Sequence, residues 1–152
     1  MKKPHATLLA AMTLVLACPF FAGPALAQRI ITTRIVIPWF TGDDAGYSSI
    51  LFIEDTSMNP WGDTTGSSGK CTVDAYYNGA HVGSGSLGRI TAGNVASFTY
   101  SQIAAATGLS LANSGQRAQL FLTCNFPNAQ AMLGFVNPGG VVTFLPGTIV
   151  PQ

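Results

Sequence analysis

The sequence predicts an all-β fold, an antiparallel β-sandwich of about 7–8 strands with one short connecting helix. Three observations lead there. Apolar and β-branched residues recur with period two, not 3.6, in short runs. Clusters of Gly, Pro, Asn, Asp and Ser separate these runs at close intervals. Only residues 101–107 have helical composition, and two turns are too few to form a layer.

Eight runs are strand candidates: 30–40, 47–54, 71–77, 80–87, 95–100, 117–125, 129–136 and 141–150. In the first, Ile31, Ile35, Ile37 and Trp39 are expected on one face, with Thr32 and Arg34 on the other. Pro38 suits an edge strand or a strand end. In the second run, Ile50, Leu51, Phe52 and Ile53 are consecutive and apolar, which predicts a strand covered on both faces. Residues 55–69 form a polar loop carrying Met58, Pro60 and Trp61.

The third and fourth runs form the clearest local motif. Asn78-Gly79 between alternating runs predicts a type I′ hairpin turn, because both central residues need positive φ. A two-residue loop pairs Tyr77 with Ala80, Tyr76 with His81 and Ala75 with Val82. Cys71, Val73, Ala75, Tyr77, Ala80 and Val82 then face the core, while Thr72, Asp74, Tyr76 and His81 face outward. Gly83 and Gly85 weaken the second strand and suggest a bulge. Ser101 is the expected helix cap and Gly108 the expected stop.

The chain has 152 residues, a formal charge of +1, 47% hydrophobic residues and only 9% charged ones. Residues 1–27 read as a secretory signal peptide. Lys2 and Lys3 form its basic start, residues 8–21 its apolar centre, and Ala25-Leu26-Ala27 its cleavage site. The apolar centre is short for a membrane span of about 20 residues. Val15-Leu16-Ala17-Cys18 resembles an imperfect bacterial lipobox, the alternative in which Cys18 is lipidated. Cleavage after Ala27 leaves a single domain, 28–152, with a charge of −1 and the same low charge density. No basic excess remains to track a nucleic-acid backbone, and no membrane anchor remains.

Two cysteines stay in the mature chain, Cys71 and Cys124. In an exported domain they most simply form one disulfide, the alternative being two unpaired buried thiols. A cystine between the third and sixth strands is expected to staple the two sheets together, which favours a sandwich over a small closed barrel.

A resemblance adds to this reading. Ile37-Pro38-Trp39-Phe40-Thr41, then residues 47–53, then Glu54-Asp55-Thr56-Ser57, resemble the opening of small secreted bacterial β-sandwich proteins. Residues 101–109 and Gly134-Phe135-Val136 are similar to the same group. The resemblance covers most of the mature chain and rests on packing and turn motifs. It implies an immunoglobulin-like sandwich of largely uncharacterised function, and it carries over no catalytic residues.

Chemistry-bearing residues are few. His81 is the single histidine of the mature chain, so a zinc or blue-copper site lacks ligands. A calcium site is conceivable only where Glu54, Asp55 and Asp63 converge with loop carbonyls. Asp74 beside His81 could orient an imidazole, but no nucleophile-elbow motif accompanies the pair. Candidate ligand-binding residues are Trp61, Tyr76 and His81, whose rings suit sugars or a partner's pocket. The expectation is a secreted, non-enzymatic structural or adhesive protein without a cofactor. It would act by self-assembly or protein partner binding, with a carbohydrate-binding module as the alternative. The first run, holding a single charge at Arg34, is the expected pairing edge.

Overall fold

The computed structural model describes residues 32–44, 46–57 and 67–151. The signal peptide, Cys18, Trp61 and Asp63 lie outside the described residues. Among the described residues, nine strands and one helix follow in order: β1 (Thr33–Thr41), β2 (Ser48–Asp55), β3 (Gly69–Tyr77), β4 (Ala80–Ile90), β5 (Val95–Thr99), α1 (Tyr100–Thr107), β6 (Arg117–Cys124), β7 (Ala129–Val136), β8 (Val142–Pro146) and β9 (Thr148–Val150). They form two antiparallel sheets, β4-β3-β6-β1-β9 and β5-β2-β7-β8. The architecture is an all-β, sandwich-like fold.

The core lies between the sheets. Ile35, Ile37, Val73, Leu120 and Leu122 from the five-stranded sheet and Leu51, Ile53 and Leu133 from the four-stranded sheet are all almost fully buried. Period two places them: every second residue of β3 and β6 is buried. A buried hydroxyl pair, Thr41 Oγ1 and Ser49 Oγ at 2.7 Å, also links β1 to β2.

The cystine does not staple the sheets. Cys71 and Cys124 are bonded, but they stand directly opposite each other on the adjacent strands β3 and β6. Their Cα atoms are 4.1 Å apart, close to the spacing of a non-hydrogen-bonded cross-strand pair. The bond therefore locks one sheet internally.

The first run is not an edge either. β1 sits between β6 and β9. Pro38 is tolerated because the β1–β6 register shifts between Ile37 and Phe40, and β9 pairs only as far as Val36. The same shift buries Phe40 and leaves Trp39 half-buried.

The Asn78-Gly79 turn forms as expected, with φ of 51° and 79°. Tyr77 pairs with Ala80 and Tyr76 with His81, but Ala75 pairs with Gly83. Val82 is the extra residue of a bulge and leaves the core face, while Ala80, still opposite Tyr77 beside the turn, is exposed as well, so neither joins the core. Gly83 and Gly85 have a packing role. A Cβ on either would stand 2.2 Å from a backbone oxygen of α1, that of Thr107 or Ala106. The helix end thus rests directly on the β4 backbone.

Thr99, not Ser101, caps α1. Its hydroxyl accepts from Gln102 N, and Gln102 Oε1 accepts from Thr99 N at 2.8 Å, a complete capping box. Gly108, at φ 74°, ends the helix as expected. Thr99→Ala should lower stability by about 1 kcal/mol, measured as a shift of the urea midpoint at constant slope.

The last run splits. Gly147 lies between β8 and β9, which belong to different sheets. Its N–H donates to Ala131 O at 2.8 Å, and a Cβ there would press on Ile35 and Ile37. The glycine lets the chain cross from one sheet to the other.

Candidate functional site

Of the proposed calcium ligands, Asp63 lies outside the described residues, and Glu54 and Asp55 point apart. Glu54 and Asp55 are neighbours in β2, so their side chains leave opposite faces of the sheet. Glu54 is exposed, whereas Asp55 is fully buried. Asp55 Oδ1 accepts from Ser57 N at 3.0 Å and from Ser57 Oγ at 2.5 Å, closing the turn after β2. Asp55 Oδ2 is buried without a hydrogen-bond partner among the described residues. No group of three metal-ligating side chains occurs among the described residues.

Asp74 and His81 do meet on the outer face of the five-stranded sheet, and Ser84 joins them. His81 Nε2 lies 3.7 Å from Asp74 Oδ1 and 3.2 Å from Ser84 Oγ. The Ser84 hydroxyl donates to that same Asp74 oxygen. A nucleophilic relay needs the imidazole between hydroxyl and carboxylate, one ring nitrogen for each. Here a single ring nitrogen faces both groups, and the serine proton is committed to the carboxylate. The cluster is also substantially exposed, so the contact of His81 with Asp74 contributes little. Ser84 was hidden from sequence reasoning because the Val82 bulge decides which face it occupies.

Tyr76 is half-buried and braced. Phe121 meets its ring edge-on at 5.1 Å, and the His81 ring lies 5.0 Å away. Near it, Trp39 packs on Phe135 at 4.4 Å, and the Arg117 guanidinium lies over the Trp39 ring, 4.6 Å from its centroid. Nothing in sequence spacing links Trp39 to Arg117. The antiparallel β1–β6 pairing brings them together.

The most distinctive surface is the four-stranded sheet. Ile50 and Phe52 are only half-buried, so β2 is not covered on its outer face by any described element. Phe52, Val95, Met132, Phe144 and Pro146 border a mostly apolar groove of about 280 Å³ there, with Glu54 and Gln130 at its polar side. Phe144 is 52% exposed and leans towards Phe52, with ring centroids 6.1 Å apart. The groove ends at β8, which among the described residues pairs only with β7, leaving the other side of its backbone without a described partner strand. All five β8 residues are exposed. No Asp, Glu, Lys or Arg follows Arg117 in the sequence, so no charged side chain guards this edge from within the strand.

No protein-family model, curated protein or solved structure matches this chain. The reading of function rests on the surfaces themselves.

Proposed function

We propose that the mature chain is a secreted, non-enzymatic, immunoglobulin-like sandwich with a structural or adhesive role at the cell surface or in the extracellular matrix. It acts by self-assembly through β8. One observation carries this reading: a free edge strand that is uncharged, mostly apolar and continuous with a largely apolar outer face. Edge strands are usually blunted by charge, a bulge or a covering element. In β8 only the terminal Pro146 serves that end. A second copy adding antiparallel to β8 would satisfy the free backbone groups and continue the sheet. Identical copies bring identical charges together, and β8 has none to repel.

Light scattering of the mature chain tests the reading. The mass should rise with concentration in the wild type and stay monomeric in Phe144→Lys. Folding should be little affected, because Phe144 is half exposed. A wild-type chain that stays monomeric at high concentration and binds no cell-envelope material would overturn the proposal.

A further inference from the structure

At the other sheet, the bulged end of β1, the β3–β4 turn and the start of β6 border an open groove of about 500 Å³. Its walls include Trp39, Tyr76, Asn78, Arg117 and Gln119. We propose that this groove binds a hexuronate unit of an acidic polysaccharide, with Arg117 as the carboxylate partner. The inference rests on the carbohydrate-binding alternative and is independent of assembly through β8.

Charge comes first. Among the described residues no carboxylate lies within ion-pair distance of Arg117; the one close contact of a carboxylate with a basic side chain is that of Asp74 with His81. Across the β1–β6 ladder it faces Thr41, which is neutral. A guanidinium lying over an indole face keeps its in-plane N–H groups for an anion, and their fork matches a carboxylate. Phe135 braces Trp39 in turn, so the cation is held in place before any ligand arrives.

The rest of the lining suits a sugar ring. Asn78 and Gln119 are exposed amides, each offering donors and an acceptor for hydroxyl groups. The left-handed backbone of Asn78 fixes the turn that presents its amide. Tyr76 supplies an aromatic wall already held by Phe121 and His81. A polyphosphate backbone would call for several cations, and this groove has one. The groove volume falls within the range of small-ligand sites.

Calorimetric titration of the mature chain with trigalacturonate and with uncharged trigalactose tests the proposal. The acidic trimer should bind more tightly than the neutral one, and added salt should weaken it. Arg117→Gln should lower its affinity about tenfold or more, with the melting temperature unchanged. Asn78→Gly keeps a turn-competent Gly-Gly pair and should also weaken binding. Phe144→Lys should bind as the wild type does. Equal binding of both trimers, or wild-type affinity in Arg117→Gln, would overturn the acidic-sugar assignment while leaving a neutral-sugar reading. Binding of neither trimer would overturn both.

Discussion

Replacing Cys71 and Cys124 together by alanine is expected to destabilise the domain by about 4 kcal/mol. The bond joins positions separated by 53 residues, and most of its effect is to restrict the unfolded chain. Both residues are fully buried, so the substitution also leaves a small void in the core. The loss should appear as a lower urea midpoint in wild type reduced under denaturing conditions and in the double variant alike. Because the cystine spans neighbouring strands, the β3–β6 ladder should show the largest rise in hydrogen exchange. A cystine between sheets would instead loosen the contact of one sheet with the other. A change below about 1 kcal/mol would mean that the unfolded chain is already compact around these positions.

The second large effect concerns the helix on β4. Gly83→Ala combined with Gly85→Ala is expected to cost about 3 kcal/mol. At an open strand position, alanine for glycine would gain about 0.5–1 kcal/mol through lost chain entropy. Here each new Cβ would meet a backbone oxygen at 2.2 Å. A side chain could rotate away, but a carbonyl at a helix end can move only with the helix. The clash therefore outweighs the entropy gain, and α1 must lift from β4. Amide exchange in α1 should accelerate, and the thermal midpoint should fall. Ser86→Ala, on the exposed face of the same strand, should change stability by less than about 0.5 kcal/mol.

Local structure was largely legible in the sequence. Period two located the strands, Asn78-Gly79 located the hairpin, and Gly108 located the helix end, because each depends on neighbours within a few residues. The missing features depend on residues far apart. That β1 is interior follows from β9 returning to pair with it, which needs the sheet crossing at Gly147. Placing Cys71 beside Cys124 follows from the strand order β3-β6, which no spacing encodes. The Val82 bulge shows how one inserted residue undoes a face assignment made by counting twos.

The four consecutive apolar residues Ile50 to Ile53 carry a different lesson. Leu51 and Ile53 enter the core as their alternation requires. Ile50 and Phe52 share the outer face with Met132 and Phe144, where no described strand or helix lies over them. A largely apolar outer face with no described element over it fits the proposed assembly. The site was half visible in the sequence: the apolar run was plain, but the free edge beside it was not.

Concentration-dependent hydrogen exchange at Val142, Thr143, Phe144 and Leu145 tests assembly through β8 most directly. Alternate amides of this strand point away from β7 and have no ladder partner among the described residues. The account predicts that these amides become protected as protein concentration rises, and that Phe144→Lys abolishes the protection. Fast exchange that does not change with concentration, in a sample that still associates, would place the contact elsewhere and contradict the account.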